Sequence, residues 1–268
     1  MKAAAAVDAA VAQGRAALVG YLPVGYPDLD TSIEAMIAIA RGGCDVLEIG
    51  VPYSDPVMDG PVIAAAADQA LRQGTRLADT FTAVRAVQEA SPDTAVLVMT
   101  YWNPVARTGV DTFAARLAEA GGTGVITPDL TPDEAGEWLA ASDAHDLERV
   151  FLVAPSSSTE RIGMTARASN GFTYAASTMG VTGERTTVGG GAADLVRRTR
   201  EAGADRVCVG LGVSTPEQAG EVAAFADGVI VGSALVRALS GADGGPGGPA
   251  GAGELAGRLA EGVRTPRR

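Results

Sequence analysis

Short apolar runs alternate with amphipathic stretches along the whole chain. Eight runs rich in Val, Ile and Leu predict strands at 17–24, 45–51, 95–101, 124–129, 149–154, 172–177, 206–213 and 228–233. Several of these runs are almost continuously apolar, which is typical of parallel strands buried on both faces. A helical pattern fills each gap, and several of these helices end in Gly, a common C-terminal stop. The alternation predicts an α/β fold made of repeated strand–helix units.

The number of units and the chain length indicate the architecture. The chain has 268 residues, the usual size of one (β/α)8 (TIM) barrel, so residues 1–268 are predicted to form a single domain. A doubly wound open sheet is the alternative architecture. An Ala-rich helix is predicted at 1–14, and the Gly/Pro-rich segment 241–253 is predicted to be a flexible linker before a short C-terminal helix.

Composition and charge narrow the possible functions. There are 21 basic and 32 acidic residues, a net charge of −11, and an acidic surface of this kind gives no reason to expect nucleic-acid binding. No apolar run approaches the length of a membrane span, and Asp8 inside the N-terminal apolar stretch argues against a signal peptide. Cys44 and Cys208 are interpreted as reduced core thiols, with a disulfide as the minor alternative. Together these features predict a cytoplasmic protein.

Acidic residues follow or interrupt the second predicted strand. Glu48 lies inside its apolar run, where Glu is depleted, and a functional role is favoured over a structural ion pair. The reason is that the candidate strand cores hold no basic residue apart from the flanking Arg149 and Arg206. Asp59 and Asp55 lie in the following loop, where Asp-Gly and Asp-Pro turns also explain them. Since barrel active sites lie at the C-terminal ends of strands, this loop is a candidate site.

Two glycine-containing loops follow the last two predicted strands. In GLGVSTPE, Gly210 and Gly212 let the backbone approach a ligand closely, and the next residues form a good helix start. GSALVRAL repeats the arrangement with Gly232 and Ser233. Paired loops of this kind, each at a helix N-terminus, form the usual phosphate site of a (β/α)8 barrel. The sequence therefore predicts phosphate binding.

Other motifs limit the chemistry. The Gly- and Thr-rich segment 178–191 is predicted to be a mobile lid. His145 is the only histidine and precedes the fifth predicted strand, which excludes a Ser-His-Asp triad and a His-rich metal site. No GxGxxG motif follows the first strand, so no nicotinamide cofactor is expected. Trp102 and Trp138 are interpreted as packing residues.

Longer strings match one known family. LEIGVPYSDPVMDGP (47–61) resembles the signature of the tryptophan synthase alpha family, with Glu48 and Asp59 at the spacing of its catalytic pair. Further strings agree over roughly residues 15–240: GYLPVGYPD, MTYWNP, TPDL, LVAPSSS, FTYAASTMGVTG, VGLGVS and DGVIVGSALV. The actinobacterial branch is the most similar. The Ala-rich N-terminus departs from the pattern because it lacks the aromatic residue expected beneath the barrel.

The resemblance implies an activity and residue roles. It implies a carbon–carbon lyase that splits indole-3-glycerol phosphate into indole and D-glyceraldehyde 3-phosphate, a retro-aldol reaction of tryptophan biosynthesis that needs no metal or organic cofactor. Glu48 would be the general acid/base and Asp59 would accept the indole N–H. Asp55 and its loop would face a beta subunit in an α2β2 heterotetramer. The implied substrate contacts are Tyr174, Thr182, Gly183, Gly212, Gly232 and Ser233.

Other functions stay open. A stand-alone indole-3-glycerol phosphate lyase that releases free indole would carry the same residues, so the sequence does not separate it from a subunit. A non-catalytic regulatory partner is disfavoured because both Glu48 and Asp59 are present. A different phosphate-binding barrel, such as a sugar-phosphate isomerase, is disfavoured by the string at 47–61.

Overall fold

The computed structural model describes residues 1–176, 190–210 and 212–264. Within these ranges, nine short strands pair in parallel to form one sheet. Their bounds are β1 Ala17–Pro23, β2 Val46–Gly50, β3 Ala95–Met99, β4 Gly124–Ile126, β5 Glu148–Val150, β6 Leu152–Val153, β7 Thr173–Ala176, β8 Val207–Gly210 and β9 Gly228–Val231. The strands therefore lie within or close to the eight predicted apolar runs.

Helices connect the strands and surround the sheet. Their bounds are α1 Ala3–Ala12, α2 Leu29–Arg41, α3 Pro61–Arg72, α4 Leu77–Ala90, α5 Trp102–Thr108, α6 Val110–Glu119, α7 Gly136–Ala144, α8 Thr159–Ala168, α9 Gly190–Glu201, α10 Pro216–Ala223, α11 Ser233–Ser240 and α12 Gly248–Gly262. None of the helices in the described ranges combines the length and apolar character of a membrane span.

The sheet closes on itself at residues 148–153. The strand order runs β5-β4-β3-β2-β1-β9-β8-β7-β6, and only Phe151 separates the two terminal strands, β5 and β6. The predicted fifth strand is interrupted because side-chain oxygens accept hydrogen bonds from its backbone N–H groups. Arg149 N–H donates to Asn170 Oδ1 at 2.6 Å, and Phe151 N–H donates to Ser169 Oγ at 3.2 Å. The predicted barrel is thus observed, rather than an open sheet.

The alternation of β2 places an acidic side chain inside the barrel. Leu47 and Ile49 belong to the cluster that packs the strands against the helices, whereas Val46 belongs to an interior cluster. Since strand side chains alternate, Glu48 points inward with Val46. The register sets Glu48 between Tyr21 of β1 and Leu97 of β3.

Helix α1 covers the N-terminal ends of the strands. Its Ala and Val side chains are buried in one cluster with the first residues of β1, β2 and β3. The Glu148 carboxylate accepts the N–H groups of Ala3 at 2.7 Å and Ala4 at 2.8 Å, which satisfies amides at the start of the helix. Small side chains let α1 lie directly on the strands, so no aromatic residue is needed there.

The C-terminal region corrects the predicted linker over 241–253. Helix α12 begins at Gly248, so only residues 241–247 precede it. Its small residues allow close contact with α2 instead of marking flexible chain: a Cβ on Gly253 would lie 3.1 Å from the Cβ of Ala38. The Gly-rich composition thus reflects helix–helix packing.

The predicted packing residues lie in the core. Trp138 is fully buried, and Trp102 packs, partly buried, against the same cluster. Cys44 and Cys208 are both buried. These residues contribute to the fold and do not line the cavity described next.

Candidate active site

A cavity opens at the C-terminal ends of the strands. Its lining is mostly apolar and consists of Tyr21, Glu48, Met58, Asp59, Ile63, Met99, Pro128, Leu152, Tyr174, Ala176, Gly210, Gly212, Ile230, Gly232 and Ser233. Six of the residues predicted to be catalytic or to contact substrate (Glu48, Asp59, Tyr174, Gly212, Gly232 and Ser233) are therefore brought together. A concave apolar site with a few polar groups is the usual form of a small-molecule site.

Glu48 is a buried carboxyl group inside this cavity. The residue is 1% exposed, and its Oε1 has no hydrogen-bond partner among the described residues. Burial raises the pKa of Glu48 to about 8, because the charged form loses its hydration. At neutral pH this side chain therefore holds a proton.

Asp59 reaches the same cavity from the loop between β2 and α3. Its N–H donates to the carbonyl of Pro56 at 3.2 Å, and α3 begins two residues later at Pro61. Burial raises the pKa of Asp59 to about 6, and a hydrogen bond from the Tyr101 hydroxyl opposes this rise. Asp59 is therefore mostly ionised at neutral pH, in contrast to Glu48.

Two tyrosines on different strands lie beside the carboxyl groups in the cavity. Tyr21 lies on β1 and Tyr174 on β7, and each ring covers a glycine at the end of the next strand. A Cβ on Gly50 would lie 2.3 Å from the Tyr21 hydroxyl, and one on Gly210 would lie 2.3 Å from the Tyr174 hydroxyl. Burial, and then the charges of the nearby carboxyl groups, raise the pKa of both phenols well above the usual value. Both hydroxyls therefore stay protonated.

The part of the cavity wall after β8 and β9, between the strands of the two tyrosines, is made of backbone. Gly232 caps the start of α11 and Ser233 is its first residue, so amide groups of the first turn lack helical acceptors. Gly212 has a φ of 69°, in the left-handed region that favours glycine. The described lining contains no Lys, Arg or His. An anion bound here would be held by N–H groups and the positive end of the helix dipole.

Asp55 lies outside the cavity, on the exposed part of the same loop. Ser54 Oγ donates to its carboxylate at 2.6 Å, and Val57 N–H donates to its carbonyl at 2.9 Å. Val57 is 72% exposed and Met58 37% exposed. The loop thus presents apolar side chains to solvent beside Asp55 while it carries Asp59 into the cavity.

Some predicted residues lie outside the described part of the chain. These are Thr182, Gly183 and the predicted lid at 178–191, except for Gly190 and Gly191, which begin α9. His145 lies away from the cavity, where Nε2 is 2.8 Å from a carboxylate oxygen of Asp111. The described residues contain no cluster of His, Cys, Asp and Glu that could hold a metal ion.

Two tyrosines of the site were not predicted from the sequence. Tyr21 lies two residues after Val19 and four after Ala17, so its side chain points to the same inner face of the strand. This alternation in the first apolar run could have indicated that Tyr21 faces the barrel interior. Tyr101 lies two residues after the third strand, at the end where the fold places its active site. The position relative to the strand end, rather than residue type, could have identified both.

Comparison with known proteins decides the family. The family model described as tryptophan synthase alpha chain matches residues 7–247. The chain belongs to the tryptophan synthase alpha chain family. A relative from Mycobacteroides abscessus is 61% identical over 96% of this chain and 95% of its own length. One from Mycobacterium intracellulare is 57% identical over 94% and 90%.

Solved structures agree with this assignment. A chain of Mycobacterium tuberculosis tryptophan synthase superposes with a TM-score of 0.92 at 55% identity, covering 98% of both chains. A tryptophan synthase alpha chain from Legionella pneumophila superposes with a TM-score of 0.87 at 30% identity, covering 98% of this chain and 97% of its own. The predicted barrel and the resemblance to mycobacterial, hence actinobacterial, members are confirmed. The predicted function, a lyase of tryptophan biosynthesis that cleaves indole-3-glycerol phosphate, is confirmed with them.

Proposed function

We propose that Glu48 and Asp59 divide the chemistry of indole-3-glycerol phosphate cleavage between them. Glu48 carries the proton, and the Asp59 carboxylate accepts the indole N–H. The observation that supports this division is that two carboxyl groups line one cavity to different depths. Burial raises the pKa of Glu48 to about 8 and that of Asp59 only to about 6. Pairs of acids whose surroundings separate their pKa values are typical of acid/base catalysis.

Cleavage of the carbon–carbon bond requires a cationic indole ring. Protonation at indole C3 puts positive charge on the ring nitrogen, and only then can the ring accept the electrons of the breaking bond. An ionised carboxylate against N1–H stabilises this charge, and the effect is strong in a site that excludes water. Asp59 suits this role because it is partly buried and ionised.

Glu48 can supply and recover the same proton. Its protonated carboxyl group gives the proton to C3, and the resulting carboxylate then takes the proton of the glycerol hydroxyl beside the breaking bond. The hydroxyl carbon becomes the carbonyl of glyceraldehyde 3-phosphate, the bonding electrons return to the indole ring, and Glu48 ends protonated. Burial without a partner for Oε1 favours the neutral starting form and makes the carboxylate a strong base.

The backbone wall of the cavity suits the phosphate group. Gly212, Gly232 and Ser233 would bind it through N–H groups at the start of α11 and in the loop after β8. Thr182 and Gly183, which the resemblance adds to the site, complete the proposed set of contacts. Tyr174 would lie against the bound substrate, since its ring faces the two carboxyl groups.

The exposed loop suits a partner chain. We assign Asp55 and the neighbouring exposed Val57 and Met58 to an interface with a tryptophan synthase beta subunit, in an α2β2 assembly that consumes the released indole. The similar solved chains come from structures of Mycobacterium tuberculosis tryptophan synthase, one of them an aminoacrylate-bound form. Such an enzyme would work in the cytoplasm. Equal turnover of the isolated chain with and without a beta subunit would instead favour a stand-alone lyase.

Glu48→Gln tests the proton carrier. The amide cannot exchange the proton, so indole release should fall by about 10²–10⁴-fold, the usual contribution of general acid–base catalysis. The assay is indole release from indole-3-glycerol phosphate, with folding checked by circular dichroism.

The matched control is Glu148→Gln. Glu148 is also buried, at 4% exposure, but lies at the opposite end of the barrel under α1. Its substitution should lower thermal stability and leave turnover near the wild-type value. Retained turnover in Glu48→Gln would remove Glu48 from the mechanism.

A further inference from the structure

Tyr101 connects the exposed loop to the cavity. It lies two residues beyond the end of β3 and is buried. Its hydroxyl accepts the N–H of Met58 at 2.9 Å. It also lies beside the carboxylate of the next residue, Asp59, and lowers the pKa of that group. One oxygen atom therefore contacts both the backbone and the carboxylate of the loop.

The contacts of Tyr101 hold its ring and backbone in place. The ring stacks on Tyr53, with centroids 5.0 Å apart and planes 27° apart. Thr100 Oγ1 donates to the Tyr101 carbonyl at 2.9 Å, and the next amide, of Trp102, donates to an Asp129 carboxylate oxygen at 2.9 Å. Tyr101 is thus anchored near the end of β3 and to the loop after β4.

The loop that carries Asp59 has mainly local hydrogen bonds of its own. Among the described residues, Val57 N–H pairs with Asp55 and Asp59 N–H with Pro56, which close small turns without reaching a strand. Loops with such local bonding are less rigid than strands. The Tyr101 hydroxyl gives this segment a fixed reference on the barrel.

We propose that Tyr101 is a positioning residue for the retro-aldol reaction, which holds the Asp59 carboxylate in place against the indole N–H by tying residues 52–59 to the end of β3. The inference rests on the proposed function of Asp59. It concerns orientation and charge, since the Tyr101 hydroxyl is directed to the loop and not to the reacting atoms.

The surroundings of Asp59 give the neighbouring Tyr101 hydroxyl an electrostatic role. Glu48 from β2, Tyr21 from β1 and Tyr174 from β7 face the same cavity, and Asp129 lies beside Tyr101. These groups are acidic or neutral, so among the described residues the hydroxyl of Tyr101 is the contact that lowers the pKa of Asp59 against burial. Without it, the pKa of Asp59 should rise above about 6.

Tyr101→Phe tests the proposal, because phenylalanine keeps the stacking and removes the hydroxyl. We expect kcat to fall about 10-fold to 100-fold with a smaller change in KM, as for a misplaced catalytic group. The acid limb of kcat/KM should move to higher pH. A carbon-13 NMR titration of the Asp59 carboxyl group in the free enzyme should show the same direction of shift.

Tyr53→Phe is the matched control. It removes the other tyrosine hydroxyl of the stacked pair, which accepts from Asn103 Nδ2 at 3.3 Å and does not contact Asp59. This variant should keep the wild-type kcat and pH profile. If Tyr101→Phe also matches the wild type in both, the positioning role is wrong.

Asp59→Asn separates failure of this inference from failure of the proposed function. An inactive Asp59→Asn together with a normal Tyr101→Phe overturns only the positioning role. An active Asp59→Asn overturns the role proposed for Asp59, and with it the inference. Loss of activity in Asp59→Asn and a shifted acid limb in Tyr101→Phe support both.

Discussion

Depth of burial makes two similar carboxyl groups behave differently. Glu48 lies within a strand that is covered on both faces, and its Oε1 has no partner among the described residues, so its neutral form is favoured. Asp59 lies on a loop at the cavity mouth and accepts a hydrogen bond from Tyr101, which favours its charged form. The barrel therefore supplies an acid and a base without any cationic side chain in the described lining.

The two pKa values predict the pH dependence of turnover. Below about pH 6, Asp59 takes up a proton and loses the charge that the proposed mechanism places against the indole ring. Above about pH 8, Glu48 loses the proton that the proposed mechanism transfers to C3. A plot of kcat/KM against pH should be bell-shaped, because it reports the groups of the free enzyme. Steady-state assays between about pH 5 and pH 9 measure it, and a flat profile across neutrality would contradict the assignment.

Single residues differed in how well the sequence revealed them. Glu48 could be recognised because a carboxyl group is rarely buried within an apolar run. Tyr101 did not, because its role depends on Met58, which lies 43 positions away in sequence and only 2.9 Å away in space. Aromatic residues are common beside strands, so residue type alone gave no signal.

At the scale of elements, the apolar pattern predicts which segments are buried better than it predicts where strand pairing ends. The predicted third strand covers 95–101, but its pairing ends at Met99 because Trp102 already begins α5. The fifth predicted strand is interrupted for a related reason: Ser169 and Asn170 replace backbone acceptors there. Such local competition between side chains and backbone cannot be recognised from hydrophobicity.

The contact between α2 and α12 predicts that replacement of glycine by alanine has opposite effects on stability at two positions. A Cβ on Gly42 would lie 2.7 Å from the carbonyl oxygen of Gly253, so Gly42→Ala must separate the helices and should cost about 1–3 kcal/mol of stability. A Cβ on Gly257 meets its nearest atom at 3.8 Å, so Gly257→Ala should add up to about 1 kcal/mol through helix propensity.

Urea unfolding of the two alanine variants and the wild type measures these changes. Equal midpoints for Gly42→Ala and the wild type would show that the helices are not in close contact. A destabilised Gly257→Ala would show that the contact extends one turn further than the structure indicates.

At the scale of the whole molecule, the buried carboxyl group of Glu48 should reduce stability as pH rises. The pKa of Glu48 is about 8 in the folded chain against 4.5 for the free side chain, so between these values only the folded state keeps the proton. The wild type should lose about 1.4 kcal/mol per pH unit relative to Glu48→Gln over this window. Unfolding free energies at several pH values measure this difference, and a constant difference would mean that Glu48 ionises freely when folded.

Closure of the sheet also limits how another protein can bind. Because residues 148–153 join β4 to β7, the described sheet offers no unpaired strand edge to a second chain. The described sheet therefore gives a partner no edge for strand addition, and it gives no edge for the edge-to-edge aggregation of open sheets. A partner must instead contact side chains on loops or helices. Val57 has the most exposed large apolar side chain among the described residues, and it lies on the loop that also holds Asp59.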